Sequence, residues 1–469
     1  MIQSESELEK EEIFHCTTKN NLINDTMRST KRILTIIAAL LATPLAALAQ
    51  GTTTAAPVLN SGNTAWLTIA TILVMLMTIP GLALFYGGLV RQKNVLSIIM
   101  QCLICVAVIS ILWIAFGYSW VFGKGFAGTS IGAFIGGFDK IFLNGVTTSS
   151  LTTPANVPEI TFVLFQCMFA VITPGLIIGA FAERIKFSGF LLFTVLWSII
   201  VYDPMAHFVW GGGWLQQLGA IDFAGGTVVH INAGISALIM AILLGRRRDY
   251  RPGHPTSPHN VPFVFMGAAF LWLGWFGFNA GSGLSADGLD ANAFLVTHLA
   301  TCVAAITWMI IDWTLNRKPT TVGVCTGAVA GLVAITPASG SVGVLGAIVI
   351  GMVTAIVCFC MVAFVKPKMG YDDSLDAFGV HGIGGIIGSI LTGVFATKAI
   401  TGGPCGAIDG NWHQLGVQLI ATGFTIVYSG ALTFVLFKLV DKLVGIRVAP
   451  REEEEGVDLY EHGETAYNN

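Results

Sequence analysis

Eleven apolar runs, each about long enough to cross a bilayer, decide what this chain can become. They cover about 64–89, 95–118, 158–181, 187–205, 225–244, 262–281, 291–315, 320–337, 342–365, 375–397 and 413–440. Roughly 20 apolar residues in a helix span the ~30 Å of hydrocarbon in a membrane. Within lipid the backbone must bond to itself, so runs of this length predict helices and not open strands. The fold class is therefore an all-α polytopic membrane protein. Composition agrees, because only 11% of residues are charged and 54% are hydrophobic. A soluble exterior cannot be built from so little charge. The 55 glycines suit helices that approach closely in lipid.

The N-terminal region reads differently. From Met27 the chain offers a positive stretch (Arg28, Lys31, Arg32), an apolar run from Ile33 to Leu41, and Ala47-Leu48-Ala49. That order predicts a signal peptide over 27–49 and a mature start at Gln50; a short uncleaved anchor is the alternative. Residues 1–26 are acidic and polar and fit neither a signal nor a span, so Met27 is read as the initiator of an over-extended N-terminus. The eleven-helix body then covers 50–440 and a tail covers 441–469.

A signal peptide places the mature N-terminus outside, and eleven spans return the C-terminus to the cytoplasm. The basic residues test this independently. Sixteen fall on the predicted inside: Arg91, Lys93, Arg184, Lys186, Arg246, Arg247, Arg248, Arg251, Arg317, Lys318, Lys366, Lys368, Lys438, Lys442, Arg447 and Arg451. Three, Lys124, Lys140 and Lys398, fall outside. This follows the positive-inside rule and predicts a multi-pass protein of the bacterial cytoplasmic membrane. Seven cysteines lie in apolar runs, and Cys102-x-x-Cys105 has neither a second pair nor a nearby His, so neither a disulfide framework nor a metal site is expected.

Two short patterns each recur once, in spans that correspond between the two halves of the chain. Gly81-x3-Phe85-x2-Gly88 in the first span matches Gly274-x3-Phe278-x2-Gly281 in the sixth. Val229-His230-x3-Gly234-Ile235 in the fifth matches Val380-His381-x3-Gly385-Ile386 in the tenth, and each His has an Asp eight residues upstream, Asp222 and Asp373. Five spans per half is odd, so the halves must run inverted, an architecture of transporters. The eleventh span stands outside the repeat.

His230 and His381 carry the most information. Ionisable groups inside a bilayer are expensive and mark substrate or proton routes, although one satisfied core histidine would be unremarkable. A symmetric pair brought together by the pseudo-two-fold could relay a proton while each neutral ring keeps one donor and one acceptor. Asp222, at the start of the fifth span, could cap backbone N–H groups or attract an inbound cation; capping with an indirect electrostatic contribution is the favoured reading. Phe169, Trp210, Phe278 and Phe85 are read as aromatics near outside span ends or loops, able to hold a small cation or simply forming an interfacial belt. Ser282 adds a hydroxyl one turn after Phe278.

Longer strings sharpen the picture. Ile79 to Asn94 (IPGLALFYGGLVRQKN), Val209-Trp-Gly-Gly-Gly213, Ile221 to Asn232 (IDFAGGTVVHIN), Gly274 to Ser282 (GWFGFNAGS) and Phe378-Gly-Val-His-Gly382 resemble those of the ammonium transporter family, on its bacterial Amt branch. Trp210 and Ser282 favour that branch over the Rhesus branch. The resemblance implies eleven helices in two inverted five-helix halves, homotrimers with one pore per subunit, and ammonium or ammonia as substrate. It assigns Trp210, Phe169 and Ser282 to external ammonium recruitment supported by Asp222. It assigns Phe169 and Phe278 to a pair of gate rings, and His230 with His381 to the pore. The acidic tail from Arg451 to Asn469 is by composition a solvated segment. The resemblance instead implies a regulatory segment read by a PII-type signal protein.

No cofactor and no nucleic-acid partner is expected; membrane lipid is the surrounding medium. An enzyme is not expected, since no carboxylate stands at metalloprotease spacing such as HExxH around either His. The competing function is an ammonium sensor that couples to a PII-type protein with little flux.

Overall fold

The computed structural model describes residues 58–254 and 256–467. The signal peptide, the start at Gln50 and the over-extended N-terminus lie outside the described residues. Among those described the chain is helical, with three isolated β-bridges. Ten helical segments are long and apolar enough to cross a membrane. They are α1 (Ser61–Leu89), α2 (Gln92–Phe122), α3 (Glu159–Phe181), α4 (Phe187–Gln217), α5 (Gly226–Leu244), α6 (Val261–Gly283), α7 (Gly288–Asn316), α9 (Val344–Met369), α10 (Phe378–Phe395) and α11 (Trp412–Val444). Between α7 and α9 lies α8 (Thr321–Ile335), apolar but only fifteen residues long, about 22 Å of helix.

The short α8 does not need to span hydrocarbon by itself. From Gly327 to Ile335 every residue is buried, and α8 packs with α7 and α9 around Val296, Ala300, Ala334, Ile335, Ala347 and Ile350. The Thr320 side chain caps it by accepting from the Gly323 N–H at 3.0 Å. Its C-terminal turn ties Thr336, Ser339 and Ser341 hydroxyls to nearby carbonyls, so irregular backbone is tolerated inside protein.

One expected boundary is substantially wrong. The fourth run was expected to end near 205, whereas α4 continues to Gln217. Residues Ser198–Tyr202 form a π turn, and a regular helix then carries Asp203–Trp210 before the break at Gly211–Gly213. Pro204 follows that π turn inside α4, where a proline interrupts the regular backbone bonding of the helix.

The repeat is visible in packing. α1 and α6 lie antiparallel: Gly88 faces Asn260 and Val264, Gly81 faces Leu271, and Gly277 faces Ala70 and Leu73. α5 and α10 also run in opposite directions. Arg184, between α3 and α4, fixes this by donating from Nε to the Gly245 carbonyl after α5 and from Nη2 to the Asp372 carbonyl before α10. Each of the two helices opens with a π turn, Gly226–Ile231 and Phe378–Gly382, and each π turn holds one of the histidines. The glycine four residues beyond each His makes the crossing possible. A Cβ on Gly234 would collide with the Gly382 backbone, and one on Gly385 would press within 3.0 Å of His230 and Ile231.

Basic loops and the acidic tail share one end of the molecule. Glu183 accepts from Arg91 and Arg247, and Arg247 also donates to Asp372. Burial opposes ionisation of Glu183, but hydrogen bonds and charge from the two arginines hold its carboxyl down at about 2. The tail is docked, contrary to its composition. Asp458 accepts from the Leu96 and Ser97 N–H groups at 2.9 and 2.8 Å, and Glu461 accepts from the Phe187 N–H at 2.8 Å. The tail thus caps the starts of α2 and α4, where aligned backbone dipoles favour negative charge.

Candidate functional site

Five helices bring the expected residues into one series. α4 supplies Trp210, α3 supplies Phe169, α6 supplies Phe278, and the two π turns supply His230 and His381. The Trp210 ring meets Phe169 edge-on, with centroids 5.8 Å apart. Phe169 and Phe278 lie 4.3 Å apart at 30°. Phe278 lies 5.9 Å from the His230 ring, and His230 stacks on His381 at 5.5 Å and 18°. Trp210 is half-buried, whereas both Phe rings and both His rings are buried.

Past His381 the series opens into a cavity of about 540 Å³ at the basic end, with Phe85, Tyr86, Arg247, Lys366 and Asp376 in its lining. Phe85 therefore corrects the sequence reading, which put it with the aromatics near outside span ends. It lines this cavity together with Arg247 and Lys366, on the far side of His381 from Trp210, and so belongs to the opposite mouth.

Histidine bonding separates this site from ordinary packing. Both nitrogens of His230 and Nδ1 of His381 are buried without a hydrogen-bond partner among the described residues. Buried polar atoms are normally satisfied, and exceptions in native proteins call for an explanation. Trp275 supplies the wall: it stacks on His230 at 5.3 Å and 20°, and its Nε1 donates to Thr336 Oγ1 at 2.8 Å. The sequence reading gave Trp275 no role, because a tryptophan in an apolar helix looks like core.

Asp222 is a cap. Its Oδ1 accepts from the Gly225 and Gly226 N–H groups at 2.7 and 2.5 Å, and its Oδ2 from those of Thr227 and Val228 at 2.8 and 3.2 Å, together with the Thr227 hydroxyl. Asp373 repeats the device on α10 with the Ala377 and Phe378 N–H groups. The Asp222 carbonyl accepts from Trp210 Nε1 at 2.9 Å, so the cap also anchors the indole. Ser282 Oγ donates to the Phe278 carbonyl at 2.7 Å, which leaves hydroxyl lone pairs free to accept.

Comparison with known proteins decides what this arrangement belongs to. The model of the Ammonium Transporter Family matches residues 65–467. The chain belongs to the ammonium transporter family. An ammonium transporter of Bacillus subtilis is 46% identical over 410 residues, covering 87% of this chain and 99% of that protein. One from Aquifex aeolicus is 49% identical over 413 residues, covering 87% and 94%. Among solved structures, Candida albicans Mep2 superposes with a TM-score of 0.79 at 37% identity, covering 87% and 91%. A protein described as a sensor Amt protein gives 0.77 at 32%, covering 86% and 98%. Ammonium transport by a multi-pass membrane protein is the function this membership carries.

Proposed function

We propose that this ammonium transporter works inward across the bacterial cytoplasmic membrane, recruiting ammonium at Trp210, Phe169 and Ser282 and passing ammonia and its proton separately past His230 and His381. The observation that carries this reading is the unbroken series of rings from Trp210 to a histidine pair with unpartnered nitrogens. The electron-rich indole attracts a small cation, and the Ser282 hydroxyl can accept one of its N–H bonds. Beyond the two Phe rings the surroundings are apolar, and an intact cation there loses its hydration. Neutral ammonia does not carry that penalty, and each imidazole offers it one donor or acceptor.

Proton balance fixes the histidine role. Ammonium divides into ammonia and one proton, and the proton moves through the His pair while ammonia follows the pore. The rings cannot both be charged for long: at 5.5 Å two imidazolium charges repel by roughly 3 kcal/mol at an effective dielectric near 20. Reconstituted protein should therefore take up methylammonium with a saturable current that potassium does not compete away. Binding of methylammonium without flux or current would instead favour the sensor.

Recruitment has its own test. Trp210→Leu with Ser282→Ala removes the indole face and the hydroxyl acceptor. Loss of about 1–2 kcal/mol of cation attraction should weaken apparent affinity several-fold to about thirtyfold, with uptake affected chiefly at low ammonium. An unchanged concentration dependence would place the site elsewhere.

Orientation follows from the sixteen-to-three charge bias. The docked tail and the basic loops face the cytoplasm, where the tail acts as a regulatory segment addressed by a PII-type protein. Three copies form the homotrimer that the family resemblance implies. A reporter fused after Asn469 should be cytoplasmic and one inserted near Val146 external; the same location for both would break this topology.

A further inference from the structure

The residue before each capping aspartate is held by a side chain from a distant part of the chain, and the two halves do this differently. Between Leu218 and the π turn at Gly226 the backbone is irregular. Irregular backbone in a buried place must find its hydrogen bonds among side chains. Ile221 finds both in one amide: Gln418 Oε1 accepts from the Ile221 N–H at 2.7 Å, and Gln418 Nε2 donates to the Ile221 carbonyl at 2.8 Å. One turn earlier on the same face of α11, Gln414 Nε2 donates to the Gly219 carbonyl at 2.9 Å. Both glutamines are buried.

The clamp leads directly to the indole. Asp222 follows Ile221; its carbonyl accepts from Trp210 Nε1, and its carboxylate caps the His230 turn. The next residue rests on the end of α8: the Phe223 N–H donates to the Pro337 carbonyl at 3.2 Å, and a Cβ on Gly340 would collide with the Phe223 ring. Gln418 also reaches α10, where it donates to the Ser389 carbonyl at 3.2 Å. The inner half meets the same need with a cation, since the carbonyl of Asp372, the residue before Asp373, accepts from Arg184 Nη2. A neutral amide grips the outer segment without adding a positive charge near the indole, where it would repel an inbound cation.

We propose that Gln418, with Gln414 beside it, is a positioning residue for ammonium capture: the eleventh helix, which has no counterpart in the repeat, sets the place of the Asp222 backbone and through it that of the Trp210 indole. The link to capture rests on the recruitment reading above; the hold on the Asp222 backbone does not. Among the described residues the two amides bond to Gly219, Ile221, Ser389 and each other, and to no ring of the pore series. Their loss therefore acts on where the indole sits and leaves the passage beyond it as it was.

The test uses the full chain in proteoliposomes, with methylammonium as probe. Gln418→Met keeps the length of the side chain and removes its amide. KM should rise roughly three- to tenfold, as expected for the net loss of one or two hydrogen bonds. The maximal rate should stay within about twofold of native, because capture alone is weakened. In a Trp210→Leu background the same change should add little to KM, since changes that act along one path are not additive. Hydrogen exchange over residues 219–228 gives a readout independent of transport and should quicken in Gln418→Met. A maximal rate that falls together with capture, full additivity with Trp210→Leu, or a native KM in Gln418→Met overturns the proposal. If that variant fails to fold, Gln414→Leu, which gives up the bond to Gly219, should still raise KM about twofold at unchanged maximal rate, and a native KM there overturns it. If Trp210→Leu leaves capture unchanged while Gln418→Met quickens exchange, the recruitment reading fails and the hold on Asp222 stands. If Trp210→Leu weakens capture and Gln418→Met does not, the recruitment reading stands and the proposal fails.

Discussion

Replacing His381 or His230 with Asp or Glu should turn a potassium-excluding pore into one that conducts potassium. In the proposed mechanism the two rings present no fixed charge to the passage, and its barrier to cations is the loss of water among Phe169, Phe278, Trp275 and the two imidazoles. A carboxylate placed about 5 Å from a passing monovalent ion offers ~3 kcal/mol at an effective dielectric near 20, or about a hundredfold in rate. Potassium matches ammonium closely in size, so a charge that helps one helps both. Currents on solid-supported membranes after potassium jumps should rise toward those seen with ammonium. His→Ala at either position is the control, because it removes the proposed proton carrier and leaves the passage apolar. It should lose ammonium current and gain little potassium current. Acidic variants that still carry ammonium and reject potassium as the native protein does would remove the histidines from selectivity.

The second large effect concerns stability. In Asp222→Asn one acceptor oxygen becomes an NH2 group that faces backbone donors. The native carboxylate accepts four N–H groups and a hydroxyl at the start of α5, all buried. Leaving buried donors unpaired costs about 1–3 kcal/mol each, and more where a charge was involved. A total loss of roughly 3–5 kcal/mol is expected, seen as a lower midpoint of thermal unfolding in detergent and poor membrane yield. The His230 turn and the Trp210 anchor share this cap, so transport should fail with it. An Asn variant of native stability that is only weaker in ammonium affinity would make Asp222 a cation-binding group instead.

What the sequence revealed and what it hid divide along physical lines. Long apolar runs declare helices because lipid leaves few alternatives, and His230 and His381 stood out because such residues are costly there. Their meeting was legible through the repeat. The extension of α4 was not, because Gly211-Gly-Gly213 looks like a loop and the helix before it carries Asp203, Pro204 and His207. Phe85 was assigned to the wrong mouth because its motif mate Phe278 is at the right one; an inverted repeat exchanges ends, so a shared motif gives depth and not side. Trp275 and His207 had no local signal at all. Trp275 owes its place to the His230 ring that stacks on it, His207 to two carbonyls 86 and 75 residues away in the chain.

The docked tail carries a consequence for biosynthesis. The amides of Leu96 and Ser97 open the second membrane helix, and the carboxylate that completes them belongs to a residue more than 360 positions later. During synthesis that helix forms with its first turn uncapped, and only when the ribosome has passed Asp458 does its own cap arrive. A nonsense codon anywhere upstream of Asp458 leaves an early helix without its cap. A segment made more than 360 residues after the second helix begins thus closes that helix, so its capping reports that synthesis has passed Asp458.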